Sequence, residues 1–560
     1  MSTVLPFYPD DSLLKLEFLI DGENTGLDSL LKEATVHFEL NKIPFAKFTF
    51  ASNQESIDSN QELPIDSLTR DPNDPPLPIE VKITFKGQSQ TLFKGVVRSL
   101  NKQAQGSQIT AKIECKDIAL KLSQSSTQAE NNNQTFEDKL TLFTSDLIVS
   151  NNLMGKEWGQ EHITHNTTTV PWDYLMGFLD SIGMMVSLRN ANLTGIDILT
   201  TENEISYLAE NGINVFDFSG RIDAERRKSS VIIERWDIES QAVTTVTAEQ
   251  STSENPHIVR LSETVLQEST LDRIANAIIQ RSNIASIQGS VTTFGNLNAK
   301  AGDYISFNKV NQEIDSEILL ITQEVHKIEN GCWKTEYTYG LESERSFTES
   351  TTTGLNNTQT EIGQSNSVNG LQIGIVTQIE EDPNNQFRVK VRIPMLSENG
   401  EGVWARLASL NASTDMGSYF IPNINDEVIV GCLGNNPDTP VILGSLYSSS
   451  KAMPFPIAEE NYIKGFVTKE GTKIIMDDEK KSIELSTKKG NKLIISDDLK
   501  GFVMEDENKN KITLNDQGIT IESCKDFNVK AKGNIKVEGV QIAQEASAKM
   551  DLKGSMINLN

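Results

Sequence analysis

The chain is short of histidine, of cysteine and of positive charge, and each shortage closes a class of function. Of 560 residues only 5 are His, at positions 37, 162, 165, 257 and 326. The 4 cysteines, Cys115, Cys332, Cys432 and Cys524, lie far apart and form no CxxC pair. They read as reduced thiols, buried or neutral, in a chain made in the cytoplasm. Lys and Arg number 51 against 78 acidic residues, a formal charge of −27. No basic stripe is present to meet phosphates, which excludes a nucleic-acid partner. No apolar run is long enough to span a bilayer, and the opening MSTVLPFYPDDS has neither the basic nor the apolar segment of a secretory leader. Export, where it occurs, is expected by another route. No GxSxG, HExxH, Walker loop or GxGxxG occurs.

What remains as candidate chemistry is thin. His162 and His165 sit three apart in EHITH with Glu161 adjacent. A zinc site needs further ligands that nothing nearby supplies, so a solvated loop is the better reading. His326, in the strand-like run EVHKIE, reads as structural. The acidic pairs Asp477-Asp478 and Asp497-Asp498 raise the question of a calcium ladder. The glycine-rich nonapeptide of calcium solenoids is missing and lysines lie close by, so solvated hairpin turns are expected. Trp404 and Arg406, two apart on one strand face, suit packing better than sugar contact. No catalytic, cofactor or metal site is expected.

What the chain does have is a repeat. GTKIIMDDEKKSIELSTKK, GNKLIISDDLKGFVMEDEN and KNKITLNDQGITIESCK overlay with Lys473, Lys492 and Lys511 at equal steps of 19 residues. After each Lys comes an apolar pair two apart: Ile474/Met476, Leu493/Ile495 and Ile512/Leu514. An acidic or Asn turn follows, and then a second pair: Ile483/Leu485, Phe502/Met504 and Ile519/Ile521. Apolar residues two apart give a strand one greasy face, and the turns mark hairpins. A single hairpin unit cannot cover that face by itself. Three identical chains, each supplying one wall of a prism, would turn these twelve residues toward a common axis and leave the charges in water. A homotrimeric β-prism is therefore expected over 464–560, with shortening strands at Phe527/Val529, Ile535/Val537, Met550/Leu552 and Ile557/Leu559.

Upstream, short alternating strands at 16–21, 34–40, 45–51, 79–87, 91–100 and 109–122 suggest an antiparallel barrel or a strongly twisted sheet. Helices are expected at about 172–183, opened by Pro171 and closed by Gly183, and at 269–284. Strands return at 289–294, 303–307, 317–327 and 332–340. The polar run 347–369 cannot pack a core and reads as a linker. A compact all-β module spans 370–447.

That module carries the most specific motifs. Arg388-Val389-Lys390-Val391-Arg392-Ile393-Pro394 and Val403-Trp404-Ala405-Arg406 are followed by Phe420-Ile421-Pro422 and Asp426-Glu427-Val428-Ile429-Val430. Asn436-Pro437-Asp438 then turns into Pro440-Val441-Ile442-Leu443-Gly444-Ser445-Leu446-Tyr447. This order resembles the OB-fold module of VgrG-type spike proteins and of phage baseplate spikes in contractile injection systems. Residues 1–346 resemble that family's baseplate hub, with Leu92-Phe93-Lys94-Gly95-Val96-Val97 matching a recurring hub strand, and 464–560 its intertwined trimeric needle.

The resemblance implies a mainly β chain with a few helices: a barrel-containing hub, an OB-fold, a short connector at 448–463 and a C-terminal β-prism or β-helix. It implies hubs that are pseudo-hexameric as trimers, matching a six-fold tube to a three-fold needle. It further implies a structural spike on an inner tube of Hcp-like protein, with baseplate contacts, a PAAR-type tip protein and effectors loaded non-covalently. Assembly would be cytoplasmic, within a type VI secretion system or a phage-tail-like particle, and a target membrane would be punctured rather than inhabited. The connector is too short for the lysozyme domain of some phage spikes. The competing classes are a wall-degrading tail spike, which needs a paired-carboxylate cleft, and an adhesin or carbohydrate-binding fibre.

Overall fold

The computed structural model describes residues 14–558 apart from 54–63, 69–74, 86–87, 107, 125–133, 166–168, 201–203, 251–255, 262–263, 316, 348–367 and 397–399. The expected linker at 347–369 lies almost wholly outside the described residues. The chain forms two compact units, Met1–Leu446 and Tyr447–Asn560.

In the first unit a 13-stranded sheet winds around two cores. Strands Lys15–Ile20, Leu31–Glu39, Phe45–Asn53, Leu77–Phe85, Gln88–Gln105 and Gln108–Lys116 enclose the first. Their alternation sends every second side chain inward, and Phe18 packs edge-on against Phe48 and Phe50 with centroids 5.1 and 5.2 Å apart. Strands Ile205–Glu210, Val215–Ile222, Ile287–Phe294, Tyr304–Asn308, Leu319–Glu329 and Cys332–Tyr339 enclose the second, around Phe307, Tyr337 and Tyr339. A third core joins helices α1 (Phe136–Phe143), α2 (Pro171–Ser181) and α3 (Glu268–Ser286) to two three-stranded sheets.

Pro171 opens α2 and Gly183, at φ +77°, follows its end, as expected. Helix α1 is not among the expected elements, although Thr135 and Asp138 cap it reciprocally. The run 109–122 does not stay extended. Asp117 accepts from Ala119 N at 3.0 Å and from Ala191 N at 3.0 Å, turning the chain into a 3-10 helix, Ile118–Ser123.

The first unit buries an ionic network around Glu324. Glu324 and His326 are fully buried, with His326 Nε2 2.6 Å from Glu324 Oε1. Arg189 pairs with the other carboxylate oxygen and lies 3.7 Å above the Phe38 ring, and Thr335 Oγ1 bonds His326 Nδ1 at 3.0 Å. His326 is therefore structural, as its strand setting suggested.

Residues 371–445 close into a five-stranded barrel in the order Leu371–Gln378, Val389–Arg392, Val403–Leu407, Pro440–Ser445, Glu427–Cys432. Val376, Val389, Val391, Ala405, Val428, Val430 and Ile442 fill it. Arg388 grips Asp382 at 2.7–3.2 Å, which with backbone N–H donors outweighs burial and holds the carboxyl down at about 2. Phe420-Ile421-Pro422 is not a strand. Pro422 has no N–H to give a ladder, and the chain there belongs to an arm outside the barrel.

The second unit contains one antiparallel meander of seven strands, Ile463–Val467, Lys473–Asp477, Ser482–Ser486, Lys492–Ser496, Gly501–Glu505, Lys511–Asn515 and Gly518–Glu522. In the single chain no strand occurs among the described residues 523–558, and all of them are exposed; the shortened strands expected beyond 525 belong to three intertwined chains. A strand exists only where a second segment completes its ladder, and within one chain nothing does so here. The acidic turns are solvated as expected at Asp478, Asp497 and Asp498, which are exposed, but not at Asp477. Asp477 is buried and accepts from Lys480 N at 3.1 Å and Nζ at 3.0 Å, which keeps its carboxyl below the usual range.

Candidate functional site

The register of the meander gathers the repeat residues. Ile474 lies opposite Leu485, Leu485 opposite Leu493, Leu493 opposite Met504, Met504 opposite Ile512 and Ile512 opposite Ile521. A second column runs Met476, Ile483, Ile495, Phe502, Leu514, Ile519. All twelve candidates stand on one side of a single sheet, in two adjacent columns. Phe466, opposite Ile474, extends the first column by one strand the repeat did not reveal. Most of these side chains are exposed in the single chain. The reverse side is mixed: Glu484, Ile494, Val503, Thr513 and Thr520 form one row, and Lys492 pairs with Glu505 at 3.2 Å.

EHITH is not a solvated loop. Glu161, Ile163, Thr164 and His165 are buried, and only His162 is exposed. Glu161 accepts from Gln267 N at 3.0 Å and Thr270 Oγ1 at 2.5 Å, tying the start of α3 to this segment. Lys139 of α1, only 2% exposed, donates to Ile163 O at 2.5 Å, as does Tyr174 of α2 at 2.9 Å. Thr164 N donates to Asp438 Oδ1 at 2.9 Å, so this segment is the seam on which the barrel's 436–438 turn seats. Burial pushes His165 down to about 4, and pushes Lys139 down to about 8 against the pull of Asp438. The imidazole is neutral and enclosed, which suits packing between Phe143 and Tyr174. Sequence reading missed this seam because its partner residues are 274 positions apart.

The seam has a titration signature. The folded chain releases the Lys139 proton at about 8 and the unfolded chain near 10.5. Between those values the unfolded state holds more protons, so stability rises with pH. The gain is expected to vanish in Lys139→Met, measured as the difference between denaturation curves of the two proteins at pH 8 and 10. Asp438→Ala, which strips Thr164 N of its acceptor, is expected to lower stability by ~1–3 kcal/mol and to speed hydrogen exchange at Thr164.

Trp404 and Arg406 share a strand on the barrel's outside, as expected, and Lys390 Nζ lies 5.9 Å from the Trp404 ring centre. Among the described residues no group of three His, Cys, Asp or Glu side chains is placed to hold a metal, and no helix is long and apolar enough to cross a membrane. All four cysteines are free thiols: Cys115 is buried, Cys432 half-buried, and Cys332 and Cys524 exposed.

Three family models match the chain. Residues 10–330, more than half of it, match the Alg8 N-terminal domain. Residues 372–447 match the type VI secretion system/phage-baseplate injector OB domain, and 482–560 match the phage baseplate V C-terminal trimerisation domain. The type VI secretion system spike protein VgrG1a of Pseudomonas aeruginosa is 32% identical over 97 residues, 16% of this chain and 15% of its own. VgrG3 of Vibrio cholerae is 34% identical over 80 residues, 14% of this chain and 8% of its own. The matches thus span less than a sixth of these relatives' length. Among solved structures, the half-lidded Francisella PdpA–VgrG complex is similar at 12% identity and TM-score 0.54, covering 89% of this chain and 88% of that one. The lidless PdpA–VgrG complex is similar at 11% identity and TM-score 0.51, covering 92% and 98%.

Proposed function

Because this chain belongs to the Alg8 N-terminal domain family and is a VgrG-type spike protein, we propose that three copies form the puncturing tip of a contractile injection apparatus. One observation carries this reading. Two continuous columns of apolar side chains cover one face of a one-layer sheet, and from Ile483 onward they fall in the stretch matched by a trimerisation domain. Such a face needs covering. Two sister copies cover it symmetrically and leave a closed, stiff shaft with no free edge.

The assignment that goes with it is hub 1–346, linker 347–369, OB module 370–447, connector 448–463 and spike 464–560. The twelve column residues form the trimer core. The hub sits on an inner tube of Hcp-like protein within a baseplate. The tip accepts a PAAR-type protein, and effectors ride by non-covalent loading. The apparatus carries the spike out of the cell that assembled it and through a target envelope without leaving it embedded there. The work is mechanical, so no residue is assigned a catalytic role.

The test is sedimentation of the purified full chain in native buffer and on heating in SDS. A trimer that survives both is the expected result, and a stable monomer overturns the reading. Incubation with peptidoglycan addresses the enzymatic alternative: no glycan release is expected, and appreciable release would favour a wall-degrading spike.

A further inference from the structure

We propose that the three OB barrels form a closed ring of their own, in which an arm of one barrel lies on the outer apolar face of the next copy. The inference rests on the trimer reading and adds an interface to it.

Two separate apolar surfaces carry the argument. The first is the outside of the barrel. Strand alternation puts Gly374 and Val376 inside and Leu371, Ile373 and Ile375 outside. The register sets Ile373 opposite Ile429 and Leu371 opposite Gly431. Leu443 completes the patch from the next strand. A Cβ placed on Gly431 would stand 3.4 Å from Leu371 Cδ2 and 3.6 Å from Leu443 Cδ1, so the two leucines flank a shallow floor. Leu371, Ile373 and Leu443 are 59%, 45% and 49% exposed. The charged residues that border the patch are Glu427 and Arg392, which flank Ile375 at its end from the two neighbouring strands.

The second surface is the arm, residues 408–426, which leaves the barrel between Val403–Leu407 and Glu427–Cys432. It folds back on itself through the short strands Ala412–Ser413 and Met416–Gly417. Its stem is fastened: Ser409 Oγ donates to Ser418 O at 2.9 Å, and Ser418 N donates to Asn411 O at 2.9 Å. Leu410 and Tyr419 are 95% and 85% exposed, and Met416 is exposed with them. The arm's charged residues are Asp415 and Asp426, and Asp426 already accepts from Asn423 N at 2.8 Å in its own loop.

Three-fold symmetry makes two unlike surfaces a requirement. A two-fold dimer can pair one patch with itself, whereas a three-fold ring is heterologous and each copy must present a surface and its complement. The barrel presents two, both mainly apolar, with Asp415 on the arm and Glu427 and Arg392 at the Ile375 end of the patch as their charged residues. Once the C-terminal sheets hold three copies, the tether 446–462 keeps sister barrels at an effective concentration on the order of millimolar, where a small apolar contact suffices.

The experiment uses the full chain with Cys332, Cys432 and Cys524 replaced by Ser. Ile373→Cys is combined in turn with Leu410→Cys, Met416→Cys and Tyr419→Cys, and each protein is oxidised mildly and run on a denaturing, non-reducing gel after boiling. Sedimentation of the same samples reports the native mass. The expected result is a native trimer, with a covalent three-chain band from at least one pair and none from any single-cysteine variant. A native trimer giving no inter-chain band from any pair overturns the ring and leaves the trimer standing. Bands from single-cysteine variants, showing like surfaces meeting, also overturn it. A native monomer overturns the trimer reading and the ring with it.

Discussion

Ile495→Lys is expected to convert the trimer into monomers. Ile495 lies between Ile483 and Phe502 in the second apolar column. One substitution therefore brings three ammonium groups to the axis, with no acid on that face to meet them. Each uncompensated buried charge costs about 3–5 kcal/mol, and three together match the roughly 5–15 kcal/mol that holds a typical domain folded. The control is its neighbour. Ile494 stands on the opposite side of the same strand, between Glu484 and Val503, so Ile494→Lys places its charge beside a carboxylate on the outer face and is expected to leave the trimer intact. Sedimentation velocity of the two variants reads both. A trimeric Ile495→Lys would show that this face is not the one turned inward.

Glu324→Ala is expected to lower the stability of the first unit by ~3–5 kcal/mol. It leaves the Arg189 guanidinium without its carboxylate and removes the acceptor facing His326, with both partners held in place by packing. The shift of the urea midpoint against the parent chain measures it, and a loss below 1 kcal/mol would show that water or a relaxed Arg189 replaces the pair. The same group predicts acid sensitivity. Burial favours the neutral acid, but Arg189 and His326 outweigh it and keep the carboxyl below its ordinary value of 4.5. A depressed folded value means stabilisation that is present above pH 4.5 and disappears as pH falls through the folded value. The parent should lose stability in that acid range, and Glu324→Ala should lose less of it.

Periodic residues were the legible part of this chain. The twelve apolar repeat positions could be assigned to one face before any register was known, because in a strand parity alone decides the face. The same rule picked out the alternating strands of the first unit. Helix α2 was readable from Pro171 and Gly183. Helix α1 was not read, though Thr135 and Asp138 spell out its cap, because eight residues carry too little periodicity to attract notice. EHITH was misread as solvated. Its polar letters suggested water, whereas Glu161 is satisfied by Gln267 and Thr270 and Thr164 by Asp438, partners that only folding brings near. The stretch after 523 forms no strand in the single chain: its apolar alternation announces a surface to be covered, a ladder needs a second backbone, and the expectation there is for three intertwined chains.

The sequence by itself determined which residues share a face, where hairpins turn, and that the final repeats expose more apolar surface than one copy can hide. These properties follow from strand parity and turn chemistry, which act within a few residues. Only the tertiary structure decided which polar groups are buried with partners, that the barrel's 436–438 turn seats against Thr164, and that an arm and an unlike apolar face stand on the same barrel. Those pairings join positions far apart in the chain, and no local preference encodes the distance that closes between them.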